Sequence, residues 1–134
     1  MSDKTIAQKL SARTGHKILL LNSPKGYETS IGDLPSGTAV ITKPVEEADV
    51  IQVFVQSRKE LERQLINLKM KIKPAVILWI TYPKGTSKMK ADINRDTIAA
   101  YASSVGFKPV AMFAVDGIWA ALRLKVVSRE QKQP

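Results

Sequence analysis

Short runs of contiguous apolar residues alternate along this chain with stretches where apolar positions recur every three or four residues. The first periodic stretch, Thr5 to Arg13, predicts a helix: Thr5 and Gln8 form a capping-box pattern, Ile6 and Leu10 share a face, and Gly15 supplies the stop. Lys17-Ile18-Leu19-Leu20-Leu21 reads as a strand covered on both faces, as in a parallel sheet. A turn-rich loop follows over Asn22 to Tyr27, then a short helical turn over Glu28 to Ile31 and a turn over Gly32 to Gly37. Ala39 to Thr42 and Val50 to Val55 are the second and third strands. The clearest helix opens on the capping box Ser57-Arg58-Lys59-Glu60, carries Leu61, Leu65, Leu68 and Ile72 on one stripe, and stops at Pro74. Val76 to Ile80 is the fourth strand, and Tyr82 to Lys90 a polar loop. A helix over Arg95 to Val105 takes Asn94 as its cap, Ile98, Tyr101, Ala102 and Val105 as its face, and Gly106 as its end. Lys108 to Val115 and Ile118 to Val127 form a hairpin about Asp116-Gly117, the pair expected in a two-residue type I′ turn.

This alternation predicts an α/β fold with a mainly parallel sheet of about six strands and an antiparallel C-terminal hairpin. One join is short. Only Lys43 to Asp49 separates the second and third strands, whereas a parallel crossover takes a dozen residues or more. Either that crossover lacks its helix, or strand two is not parallel to strand three.

Length and composition narrow the picture. At 134 residues with 44% apolar content, one globular domain over 1–134 is expected, with Ser128 to Pro134 as a frayed polar tail. The absence of cysteine excludes disulfides, thiolate nucleophiles and cysteine-ligated metals, and the single histidine, His16, excludes a multi-histidine metal site, so no metal is expected. No apolar run is long enough to span a bilayer, and no secretory pattern opens the chain, so a cytoplasmic protein is expected. The net charge of +9 is unevenly spread: no acid occurs from Arg63 to Ala91, a segment holding Lys69, Lys71, Lys73, Lys84, Lys88 and Lys90. That surface is a candidate for anions or nucleic acid, set against the plainer reading of a solvated lysine-rich face. Lysines outnumber arginines 15 to 6, which weakens the nucleic-acid reading, because specific phosphate and base recognition favours the planar arginine fork.

From Ala48-Asp49-Val50-Ile51 through the Ser57 helix to Ile72-Lys73-Pro74 and the next strand, the sequence resembles the second half of a Rossmann-like methyltransferase. That resemblance implies a three-layer sheet of strand order 2-1-3-4-6-5. Cofactor-binding members carry a glycine-rich loop after the first strand and an acid after the second; here stand Asn22-Ser23-Pro24-Lys25-Gly26-Tyr27 and Thr42-Lys43, so no cofactor is expected. Nearly the whole chain also resembles a family of small bacterial proteins of unknown function, through Leu20-Leu21-Asn22, Pro24 and Gly26-Tyr27, through Trp79 and Pro83-Lys84, and through Val115-Asp116 and Trp119. This likeness implies a fold and no reaction.

In open α/β sheets ligands bind beyond the carboxyl ends of the strands, where the strand order reverses. The loops gathered there supply a candidate anion pocket: Asn22, Lys25, Gly26, Tyr27, Tyr82, Lys84 and the helix start at Ser57. The same residues have plain structural readings, as turn formers and core aromatics. A Ser23–His16–Asp116 triad has no support in spacing, and no paired carboxylates fall in these loops; Glu46, Glu47 and Asp49 belong to the opposite edge, and Asp92 and Asp96 suit helix capping. The expectation is a non-catalytic binding module for an anionic small molecule or an acidic protein partner. The alternatives are a small enzyme with a nucleotide-like ligand, or non-specific nucleic-acid binding by the Lys69–Lys90 surface.

Overall fold

The computed structural model describes residues 9, 10, 13, 15–27, 31, 37–42, 48–71, 75–84 and 92–127. Its strands are β1 (Lys17–Leu21), β2 (Ala39–Ile41), β3 (Val50–Phe54), β4 (Ile77–Pro83), β5 (Phe107–Ala114) and β6 (Trp119–Val126), with helices α1 (Arg58–Lys71) after β3 and α2 (Arg95–Ser104) after β4. They form one sheet of order β2-β1-β3-β4-β6-β5. The first four strands are parallel, and β6 runs antiparallel to both β4 and β5. This is the Rossmann-like α/β arrangement and order expected from the sequence. The expected helix before Gly15 is described only at Lys9 and Leu10; the turns over 28–30 and 32–36, most of the loop after Pro83, and the tail 128–134 lie outside the described residues.

Both β2 and β3 pair parallel to β1, so they are parallel to each other. The short join works because β2 has three residues. It ends with Ile41 level with Leu19, and β3 begins with Val50 level with Ile18. The return therefore covers two strand spacings, about 10 Å, and almost no distance along the strands. Residues 42–49 reach about 26 Å when extended, so no helix is needed.

Alternation along the strands sorts side chains onto two faces. On one, Leu19, Ile51, Val53, Leu78 and Ile80 pack with Leu61, Leu65 and Leu68 of α1 and with Ile98 and Ala102 of α2. The apolar stripe read from the α1 sequence is thus its buried face at these three leucines; Ile72 and Pro74 lie outside the described residues. On the other, Ile18, Leu20, Val50, Phe54 and Trp79 lie beneath Leu10, Tyr27 and Ile31. Trp79 donates its indole N–H to the Leu10 carbonyl at 3.0 Å, fixing the N-terminal segment across the middle of the sheet.

Three expectations are corrected. β4 does not stop at Ile80: Thr81, Tyr82 and Pro83 continue it, because β6 extends past the end of β3 and pairs with them. Pro83 is the last residue of the strand, where its missing N–H is tolerated. The hairpin turn is not type I′, which requires positive φ at both central residues; neither Asp116 nor Gly117 has it. Instead Val115 and Trp119 close a three-residue loop, and the Asp116 carboxylate accepts from the N–H groups of Ile118 and Trp119, both at 2.8 Å. Asp92 does cap a helix, but it is α1, not the adjacent α2: its carboxylate accepts from Arg58 N at 2.7 Å. Asn94 caps α2 as expected, in a reciprocal box with Thr97.

Candidate functional site

The order reverses between β1 and β3, whose carboxyl ends open onto a crevice of about 360 Å³ lined by Asn22, Ser23, Pro24, Phe54, Gln56, Glu60 and Trp119. Asn22 holds a left-handed backbone, φ 60°, which a short polar side chain tolerates. Its amide donates to the Phe54 carbonyl at 2.8 Å and to Glu60 Oε2 at 3.3 Å. Glu60 Oε1 accepts from Gln56 N at 2.8 Å, and Glu60 N donates to Ser57 Oγ at 3.2 Å. The α1 start expected to receive an anion therefore already holds two carboxylates of the chain, Glu60 and Asp92. Both complement the positive end of the helix dipole.

Beneath the crevice runs a buried polar chain. The Tyr27 hydroxyl donates to Gln52 Oε1 at 2.9 Å, and Gln52 Nε2 donates to Thr81 Oγ1 at 2.9 Å; Gln52 and Thr81 are fully buried. Tyr27 also packs edge-to-face on Phe54, with centroids 4.7 Å apart, and Phe54 in turn on Trp119 at 5.0 Å. Tyr27 is thus a core residue that fastens the loop after β1 onto the sheet. Gly26 beside it has φ 84°, which glycine alone adopts without cost.

A second, wider concavity of about 510 Å³ lies between the end of β4, the start of α2 and the hairpin. Tyr82, Lys84, Asn94, Arg95, Asp96, Met112, Ala114 and Ala120 line it. Arg95 reaches the exposed Asp96 carboxylate at 3.6 Å and donates to Met112 Sδ at 3.6 Å. Tyr82 is buried and lines the concavity, and Lys84, two residues on, donates its backbone N–H to the Ile118 carbonyl at 2.7 Å.

The structure therefore separates the candidates. Asn22 lines the first crevice, and Ser57 beside it spends its hydroxyl on the α1 cap; Tyr82 and Lys84 line the second concavity; Lys25 is exposed and lines neither. Of the lysine surface, Lys69 donates to the Gly106 carbonyl at 3.2 Å and lies 5.4 Å from the Phe107 ring centroid, so it fastens α1 to the hairpin. Lys71 ends α1, and Lys73, Lys88 and Lys90 lie outside the described residues. At the opposite edge, His16 Nδ1 accepts from Arg13 N, and the Asp49 carboxylate accepts from Lys17 N, both as turn fastenings. Sequence reading missed Gln52, although a lone polar residue in Val50-Ile51-Gln52-Val53-Phe54 was a signal. It also missed Arg95, which had read simply as the start of a helix.

Burial raises the pKa of Tyr27 above the ordinary tyrosine value of 10.0; its hydrogen bond to Gln52 opposes this and the charge of Asp116 adds to it. Burial likewise raises Tyr82 and Tyr101. Below pH 10 all three are neutral folded and unfolded. Above it the unfolded chain ionises before the folded one, so stability falls as pH rises. Urea midpoints should be flat up to about pH 10 and then decline, and Tyr27→Phe should decline less steeply. Equal slopes for both proteins would remove Tyr27 as a source of the alkaline loss.

No family model matches the sequence, and comparison with curated proteins finds no relative. Solved structures do match. A SAM-dependent methyltransferase from Aquifex aeolicus superposes with a TM-score of 0.61 at 14% identity, over 90% of this chain and 87% of its own. The DhpI–SAH complex gives 0.62 at 11% identity, over 92% of this chain and 84% of the other. The mitomycin 7-O-methyltransferase MmcR gives 0.66 at 11%, over 91% of this chain and 53% of that longer one. The fold is that of the Rossmann-like methyltransferases. Among the described residues, no helix of this methyltransferase-like chain is long and apolar enough to cross a membrane.

Proposed function

We propose that this protein is a non-catalytic binding module on a methyltransferase-like fold, taking an anionic ligand or the acidic group of a protein partner in the concavity at Tyr82, Lys84 and Arg95. The observation that carries this reading is that two cationic side chains converge on one concavity, while the polar groups of the switch-point crevice are bonded to one another. In the switch-point crevice Asn22, Ser57 and both oxygens of Glu60 are held within the chain. In the wider concavity Lys84 and Arg95 border an apolar floor of Met112, Ala114 and Ala120, with the exposed Asp96 carboxylate 3.6 Å from Arg95 at its rim.

The fold family implies S-adenosylmethionine, and the crevice residues are a poor match for it. Thr42, exposed, follows β2 where a ribose-binding acid would be needed. The loop after β1 is fastened down by Tyr27 rather than left open for a cofactor's approach. This supports a module that has departed from the chemistry of its fold relatives.

Thermal-shift and calorimetric titrations test the proposal, with inorganic phosphate, citrate, benzoate and S-adenosylmethionine as probes. A probe at a hundred times its Kd adds about 2.7 kcal/mol. Stabilisation by an anion, lost in Arg95→Ala and reduced in Lys84→Ala, is expected. Saturable stabilisation by S-adenosylmethionine that survives Arg95→Ala and disappears in Trp119→Leu would overturn it in favour of a small enzyme acting at the switch point.

A further inference from the structure

We propose that the outer face of the β5–β6 hairpin binds the phosphate backbone of nucleic acid, on the side of the sheet opposite the concavity at Tyr82. The observation is a like-charge pair that folding alone does not favour. Lys108 and Lys125 stand directly opposite each other in the antiparallel register, and both are exposed. Opposed like charges destabilise such a pair.

Two more cations extend the patch. Arg123 lies two residues from Lys125 along β6, on the same face, opposite Ala111. Lys9 lies over the Phe113 ring, 5.8 Å from its centroid, and donates to the Ala114 carbonyl at 3.4 Å. Strand residues sharing this face are Val50, Gln52, Phe54, Ile77, Trp79, Thr81, Ala121 and Phe113, so the described strands place no acid there. The ion pairs among the described residues are Arg58 with Glu62 and Arg95 with Asp96, both in helices. Among the described residues no ion pair joins Lys108, Arg123 or Lys125 to an acid.

The chemistry of that row selects the partner. Lys125 and Arg123, two residues and about 7 Å apart on β6, with Lys108 beside Lys125 on β5, suit successive phosphates of a polyanion better than a single carboxylate. Protein interfaces are depleted in lysine at their centres and are anchored by aromatic side chains in pockets. Here lysines form the centre, and Phe113 is half-buried beneath Lys9. Lysine acts as a point charge, which fits phosphates without base readout. The resulting binding is sequence-independent and steeply salt-dependent.

The test pairs stability with affinity in the full chain. Fluorescence anisotropy would follow labelled single-stranded DNA and an RNA hairpin of mixed sequence over a series of salt concentrations. Lys108→Glu turns the repulsive pair into an attractive one, so Tm should rise by about 1–3 °C while affinity falls about tenfold at low salt. Lys108→Gln should reduce the slope of log K against log salt by about 1. Lys59→Gln, on exposed helix surface, should leave affinity unchanged. A merely structural role moves stability alone. Absence of binding at low salt, unchanged affinity in Lys108→Glu, or equal binding of polyglutamate would each overturn the proposal.

Discussion

Gln52→Leu should destabilise the protein by about 2–4 kcal/mol although leucine fits a buried strand well. Gln52 is the middle of the chain from Tyr27 to Thr81, accepting from one hydroxyl and donating to the other. Its loss strands both hydroxyls away from water, at about 1–3 kcal/mol for each unsatisfied group, offset in part by the apolar gain. The decisive comparison is the triple variant Tyr27→Phe, Gln52→Leu, Thr81→Val. It removes every member together, leaves nothing unpaired, and should recover most of the loss. Urea titration of the three proteins, the parent, Gln52→Leu and the triple variant, measures this. A triple variant no better than Gln52→Leu would show that the cost lies in side-chain shape, not in unmet hydrogen bonds.

Phe54→Ala should be costlier still, at about 3–5 kcal/mol, the usual range for deleting a buried aromatic ring. Phe54 is 1% exposed and is the shared partner of two edge-to-face pairs, with Tyr27 and with Trp119. Each such pair adds about 0.5–1.5 kcal/mol beyond area burial. For a chain of this length Tm should fall by about 10 °C or more. Phe54 also walls the switch-point crevice, so its truncation enlarges that space instead of leaving a sealed void. Thermal unfolding monitored by circular dichroism checks the magnitude. A loss below about 1 kcal/mol would mean that the ring's surroundings collapse to fill its place. Phe54→Leu, which keeps much of the volume, should lie between the two.

What the sequence made legible follows from where the deciding interactions lie. The Asn94 cap, the Ser57 hydroxyl on Glu60 N and the apolar stripe at Leu61, Leu65 and Leu68 are local, set by residues three or four apart, and they stand as read, although Glu60 reaches back to Gln56 N and not to Ser57. The strand order came from likeness to a known fold, not from periodicity. The end of β4 was hidden because Tyr82-Pro83-Lys84 carries turn chemistry, while the partner that keeps it extended is β6, almost 40 residues later in the chain. The site was less legible for the same reason. Asn22 and Ser57 lie at the expected edge, yet their polar groups turn inward, toward Glu60 and the Phe54 carbonyl. The helix start that should have welcomed an anion is filled by Asp92, 34 residues away. The Lys108–Lys125 pair was within reach of a reading that folded the hairpin about its turn. The three-residue loop shifts the register by one, and the irregularity between Pro109 and Ala111 shifts it back, so the two lysines meet as a two-residue turn would have placed them.

The bond between Trp79 and Leu10 joins positions 69 apart in the chain. Closing so long a loop has a large entropic cost, and the contact is worth making only once the middle of the sheet exists to receive it. Trp79 is one of two tryptophans, and Leu10 and Phe113 enclose its indole, whereas Trp119 borders the open crevice. The chain thus carries its own optical clock. In a Trp119→Phe background, Trp79 emission should report both the burial of β4 and the seating of Leu10 against its indole.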